Sequence, residues 1–225
     1  MAFQGEIVLF GKIEYLNLLP FYVFMKRYAK TTRHHMSLQY KRGVPSKINR
    51  DFKARRIDAA FISSIEARGR KHMPVGIIAR KEVLSVLLIP GEASLRDSAS
   101  ATSNVLAQVL GLKGEVVIGD NALRRYLSGV EAIDLAKRWQ EKHHLPFVFA
   151  VLCHHRHDRA LRTLTHHFLK VKQRIPRYIL LQASQQTGIA PDAIVRYLEH
   201  ISYDLDGKAQ RGLEKFWKLA SPFTR

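Results

Sequence analysis

Cysteine is almost missing from this 225-residue chain, where Cys153 stands alone. A single thiol closes no internal disulfide, and this sparing usage suits a reducing compartment. No stretch approaches the ~18 uncharged apolar residues that span a bilayer. Internal repeats, low-complexity tracts and Gly/Ser/Pro linkers are also missing, so nothing in the composition divides the chain. Acidic residues are scarce: 19 Asp and Glu face 37 Lys and Arg, for a formal net charge of +18. What remains is ordinary. A content of 46% hydrophobic and 25% charged residues is globular rather than disordered, and a chain of this length buries a core unaided.

Tyr15 to Met25 (YLNLLPFYVFM) imitates the apolar region of a signal peptide. Glu6 and Glu14 stand where a positive flank belongs, Asn17 and Pro20 interrupt the run, and KRYAKTT follows instead of a small-residue cleavage site. This predicts a soluble, cytoplasmic chain without membrane attachment. The positive charge raises nucleic acid as a partner, because phosphate neutralisation supplies most non-specific affinity. The basic residues are scattered, however, at Lys41-Arg42, Arg55-Arg56, Arg68 to Lys71, Arg124-Arg125 and Lys170 to Arg177, with no dense tail or binding motif. A solvated basic surface is therefore favoured over nucleic-acid binding, and its field can draw an anionic small molecule toward a cleft.

Short apolar runs alternate with amphipathic ones. Glu6 to Phe10, Asp58 to Ile62, Val83 to Ile89, Glu115 to Ile118 and Phe147 to Leu152 read as strands. A turn at Asn17 leads into a helix, Pro45 opens another, and Ser63 to Glu66 has the spacing of a capping box. Ser98 to Leu112 reads as a helix with a hydroxyl-rich start, and helical patterns follow at 158–172, 177–187, from Pro191, and at 207–219. The alternation predicts an α/β fold with largely parallel sheets, whose ligands bind beyond the carboxyl ends of strands where helices begin.

That rule points to three hydroxyl sites: Ser63-Ser64, Ser85, and Ser100-Ala101-Thr102-Ser103. Free N–H groups and the dipole of a helix start favour an anion, and two such starts facing one cleft would hold a dicarboxylate. Each site alone reads more readily as a plain cap, and their repetition after consecutive strands shifts that balance only moderately. Standard catalysts are lacking: there is no Gly-rich phosphate loop, no GxSxG elbow and no HExxH helix. Cys153-His154-His155-Arg156-His157-Asp158 imitates a metal cluster, but adjacent strand residues point to opposite faces and no second ligand pair is well spaced. Cys153 itself reads as a small buried hydrophobe. Asn17 is the one amide in an apolar turn, either a turn former or a group held for a ligand.

At these residues the chain resembles the chorismate dehydratases of the futalosine route to menaquinone. The matching segments are YLNLLPF (15–21), GVPSKIN (43–49), DAAFISSIE (58–66), VLSVLL (83–88), SASATSNVLAQVL (98–110), VIGDNAL (117–123) and LPFVFAV (145–151), with the tail ISYDLDGKAQRGLEKFW (201–217). The resemblance implies a two-lobed fold like that of type II periplasmic binding proteins, each lobe a mixed sheet flanked by helices with the ligand cleft between. One lobe would comprise 1–87 with 178–225 and the other 88–177, joined near Ile89 to Gly91 and Lys172 to Pro176. It implies dehydration of chorismate to 3-[(1-carboxyvinyl)oxy]benzoate with no metal or organic cofactor. By position Asn17 and Ser85 would be catalytic, while Ser63, Ser64, Ser100 and Thr102 would hold the carboxylates. Asp120 falls in a matching segment but reads equally as a cap for the helix after it.

A sister family forming 1,4-dihydroxy-6-naphthoate depends on a histidine shortly after the segment matched by Leu145-Pro146; here Phe147-Val148-Phe149 follows. A non-catalytic solute-binding protein is the alternative of another class. Monomer and homodimer are both compatible with the sequence. If the metal-free reading is right, treatment with chelator leaves turnover of chorismate unchanged. Loss of activity after chelation, restored by added metal, would return the His154, His155 and His157 segment to consideration.

Overall fold

The computed structural model describes residues 7–31 and 37–224. Strand β1 (Ile7–Lys12) is followed by a 3-10 turn at Leu16–Leu18 and helix α1 (Leu19–Thr31). Strand β2 (Ser37–Arg42), helix α2 (Pro45–Lys53), and strands β3 (Ala59–Ser63) and β4 (His72–Ala79) come next. A second group comprises β5 (Val86–Pro90), α3 (Ala101–Leu110), β6 (Gly114–Ile118), α4 (Gly119–Leu127), β7 (Ile133–Asp134) and α5 (Leu135–His143). Then β8 (Phe147–His154), α6 (Asp158–Lys170), α7 (Arg177–Thr187), α8 (Pro191–Leu198), β9 (Ile201–Asp204) and α9 (Gly207–Ala220) follow. They build a six-stranded sheet in the order β2-β1-β3-β8-β4-β9 and a three-stranded sheet in the order β6-β5-β7.

Local chemistry sets these elements. All five residues of β3 (AAFIS) are buried, as expected of a strand covered on both faces. Pro45 occupies the first turn of α2, where its missing N–H costs nothing. Helix α3 begins at Ser100, whose hydroxyl accepts from the Ser103 N–H, and stops at Gly111 in the left-handed region. Asp134 and Asp206 cap α5 and α9 in the same way. One buried cluster runs through both sheets, from Phe10 and Phe61 to Leu88, Leu135 and Trp139.

Four expectations are corrected. Only β1–β2 and β1–β3 form parallel ladders, and the other strand ladders are antiparallel. Strands β8 and β9 enter the larger sheet from the far side of an excursion, which no βαβ crossover links. No helix follows β3. The Ser63 side chain that would cap one accepts from Asn49 Nδ2 at 2.8 Å, while its N–H donates to Asn49 Oδ1, and the chain turns instead. The strand expected from Val83 begins only at Val86, because Leu84 sits at φ 61°. Finally, β8 lies inside the segment 88–177, yet it pairs with β3 and β4 of the larger sheet, and β5 belongs wholly to the smaller one. The chain therefore passes between sheets at 80–85 and 144–146, rather than near Ile89 to Gly91 and Lys172 to Pro176. The physical reason is the double burial of β8's apolar run between two ladders.

The return crossing is pinned by α9, where a Cβ at Gly212 would collide with the carbonyl oxygen of Pro146. Gly212→Ala should lower stability by about 1–3 kcal/mol, the usual cost of overpacking, despite alanine's better helix propensity. Chemical denaturation checks this; an unchanged midpoint would mean that the crossing yields freely.

A second contact crosses between the sheets. The Leu16 N–H donates to Asp120 Oδ1 at 3.1 Å, so Asp120 serves the Leu16–Leu18 turn rather than capping its own helix. Burial raises the Asp120 carboxyl from 3.8 to about 6, against the opposing pull of the Leu16 N–H and Arg124. The folded state thus holds this proton more tightly than the unfolded chain does. The associated stability is complete below pH 3.8 and is lost as the pH rises through about 6. Asp120→Asn keeps the acceptor and removes the titration. Its stability should match the parent near pH 4 and exceed it by up to about 3 kcal/mol at pH 7. Parallel curves across that range would show that the carboxylate is not the cause.

Candidate active site

Between the sheets lies a cavity of about 600 Å³, counting the space at its open mouth. That size suits a small organic ligand. Its wall includes Asn17, Ser63, Ser85, Ser100 and Thr102, five of the six residues singled out from the sequence. Ser64 is not among the lining residues. It is fully buried behind Thr102, with the two hydroxyl oxygens 3.2 Å apart, and its carbonyl accepts from Trp217 Nε1 at 2.7 Å. Tyr15 and Ser103 also line the cavity, together with apolar residues that include Phe61, Ile77, Val86 and Phe149. No Asp, Glu, Lys, Arg or His is among these lining residues.

The turn carrying Asn17 is held from two sides, by the Leu16 N–H on Asp120 and by Tyr203 Oη, which donates to the Asn17 carbonyl at 2.7 Å. No hydrogen bond to the Asn17 side-chain amide is made among the described residues, so both its donor and acceptor ends are open to a ligand. Ser85 follows a tight turn. Asp134 Oδ2 accepts from the N–H groups of Val83 and Leu84, at 2.9 and 2.7 Å, and Oδ1 accepts from those of Ala136 and Lys137. Burial raises the Asp134 carboxyl, and these four donors oppose the rise. The Ser85 carbonyl accepts from Gly119 at 2.8 Å, and its hydroxyl lies 2.8 Å from Tyr197 Oη.

Two helix starts reach the cavity, those of α3 through Ser100, Thr102 and Ser103 and of α4 through Gly119. The second helix start is that of α4, whose Gly119 N–H is taken by the Ser85 carbonyl, and not one following Ser63 as the sequence suggested. Gly119 adopts φ 66° against the Tyr15 ring, which a Cβ would meet at 2.9 Å. Burial, reinforced by the charges of Asp97 and Asp120, pushes the Tyr15 phenol up to about 12, so it stays a neutral donor. Such an array of uncharged donors and positive helix ends suits an anion bearing an apolar ring.

Among the described residues, no group of three His, Cys, Asp or Glu could hold a metal. Cys153 is fully buried with its thiol pushed up to about 12. His155 stacks on Phe52 at 4.0 Å and its Nε2 lies 2.8 Å from the Phe52 carbonyl. His157 lies beside Asp58 instead. Sequence reasoning missed Tyr197, Tyr203, Asn49 and Asp134, which hold the wall residues from behind. Their partners in the chain are as far as 186 residues away, so no local spacing announces them.

A family of proteins described by menaquinone biosynthesis matches the chain over residues 8–114 and 107–222. A chorismate dehydratase of Campylobacter jejuni is 40% identical over 215 residues, covering 94% of this chain and 96% of that protein. Among solved structures, a protein of Archaeoglobus fulgidus superposes with a TM-score of 0.70 at 12% identity, covering 96% of this chain and 97% of the other. The periplasmic aliphatic sulphonate-binding protein of Escherichia coli gives 0.60, also at 12% identity, over 98% and 93%. The second of these identifies the fold as that of periplasmic binding proteins, as the resemblance implies. With a family match running almost end to end and a relative at this identity, the chain belongs to the menaquinone-biosynthesis family.

Proposed function

We propose that this chain is a cytoplasmic chorismate dehydratase. It would convert chorismate to 3-[(1-carboxyvinyl)oxy]benzoate and water in the futalosine route, without metal or organic cofactor. The observation that carries the reading is the cavity lined by hydroxyls and an amide among apolar side chains, with no charged residue, in a chain 40% identical to an enzyme of that name. No helix among the described residues is long and apolar enough to cross a membrane.

The product gains an aromatic ring, so the obstacle is kinetic. A ring C–H bond must break, its electron pair forming the new ring double bond as the C–O bond to the hydroxyl breaks. The proton passes to the substrate's own side-chain carboxylate, and the hydroxyl leaves as water on taking a proton. Such a route needs alignment more than a protein base. Asn17 and Ser85 are the donors that orient the reacting groups and stabilise developing charge. Ser63 and Thr102 hold the carboxylates with the helix-start amides; Ser100, whose proton goes to Ser103 Oγ, acts through that hydroxyl, and Ser64 steadies Thr102 from behind.

Purified protein incubated with chorismate should give the aromatic product, followed by its ultraviolet absorbance. Binding without turnover would instead favour a solute-binding role, and neither would leave the naphthoate-forming reaction. Asn17→Ala and Ser85→Ala should each cut turnover by ~10²-fold or more with the fold intact, the scale of removing a transition-state donor. Near-normal rates in both would refute their assignment.

A further inference from the structure

Ser85 is 1% exposed and Tyr197 is 2% exposed, so the pair is closed to water except where Ser85 borders the cavity. Their hydroxyl oxygens lie 2.8 Å apart, and the Tyr197 hydroxyl has no other partner among the described residues. One proton lies between the two oxygens, and the identity of its owner decides the chemistry. Were Ser85 the donor, the phenol proton of Tyr197 would be buried with nothing to accept it, which is costly. With Tyr197 as donor, every group is satisfied: the serine oxygen accepts from behind, and its own proton is left for the cavity. Burial, with the charges of Asp120 and Asp134 adding to it, raises the Tyr197 phenol, so its proton is retained across the working pH range.

We propose that Tyr197 is a positioning residue: by donating to Ser85 Oγ it aims the serine proton at the bound substrate. This rests on the function proposed above, in which Ser85 is a donor to the reacting groups. It accounts for a tyrosine on α8, 112 residues from its partner, being buried against the turn between the sheets. Tyr203 is the built-in comparison, since it is a partly buried tyrosine whose hydroxyl donates to the backbone carbonyl of Asn17 rather than to a side-chain hydroxyl.

A double-mutant cycle in the full chain separates aiming from mere support. Tyr197→Phe should lower kcat about tenfold, the rate equivalent of one hydrogen bond, with KM within about threefold of the parent. In a Ser85→Ala background the same substitution should cost nothing further, whereas Tyr203→Phe should cost as much there as in the parent. An undiminished Tyr197→Phe effect without Ser85, equal coupling for Tyr203, or a Tyr197→Phe chain that fails to fold would each overturn the proposal and make the phenol structural. The parent chain tests the function separately. If it binds chorismate without converting it, the dehydratase reading fails, and the cycle is then read on binding by calorimetry, where the same loss of coupling is expected. If it neither binds nor converts chorismate, both fall together.

Discussion

A single carboxylate, that of Asp134, accepts four backbone N–H groups and thereby fixes the geometry on one side of the cavity. Two of the donors belong to Val83 and Leu84, at the crossing from the larger sheet to the smaller, and two to the first turn of α5. The arrangement holds Leu84 at φ 61°, a conformation that costs a non-glycine residue on the order of 1 kcal/mol and persists only when its surroundings dictate it. Charge-assisted hydrogen bonds are strong enough to offset that strain. The consequence is directional. A chain continuing as a regular strand through Leu84 would alternate its side chains, whereas this turn brings the Ser85 hydroxyl to the cavity and its carbonyl to the Gly119 N–H at the start of α4.

The hydroxyls along the wall share a second constraint. Each has one proton to give and two lone pairs to receive, and the protein fills the lone pairs from behind. Asn49 donates to the Ser63 oxygen, the Ile65 N–H donates to Thr102, and the Ser103 N–H donates to Ser100, whose own proton goes to Ser103 Oγ at 2.7 Å. Buried polar groups are thus satisfied while the Ser63 and Ser103 protons remain for a guest, and Asn17 keeps its whole amide uncommitted. The same logic explains why Ser64 serves from one layer back, where its hydroxyl meets Thr102.

What the sequence made legible was local. The cap at Ser100, the proline opening α2, the turn at Asn17 and the hydroxyls beyond strand ends all rest on contacts within a few residues, and five of the six named site residues line one cavity. The errors came from competition at longer range. Ser63 has a capping-box sequence, but Asn49 claims its side chain first. The run from Val83 looks like strand, but Asp134, 50 residues onward, captures its first two N–H groups. Likewise β8 carries no mark of which sheet it joins, because an apolar run suits any slot buried on both faces. The residues behind the wall were invisible for the same reason: Tyr197 and Tyr203 occupy ordinary helix and strand positions until the fold supplies their acceptors.

The absence of charge among the lining residues, in a chain of net charge +18, bears directly on the proposed reaction. An arginine gripping each carboxylate would bind a dianion tightly, yet it would also lower the proton affinity of the carboxylate that must act as base. Neutral hydroxyls, an amide and helix-start N–H groups stabilise the anion with less loss of that basicity. They are also held by the fold before the substrate arrives, so little reorganisation remains for the reacting complex. The surface charge can then do what the lining does not, concentrating an anion near the mouth within a Debye length of about 8 Å at physiological salt. Under the proposed function attraction and chemistry would be divided in space: cations outside would gather the substrate, and uncharged donors inside would leave it basic enough to remove its own proton.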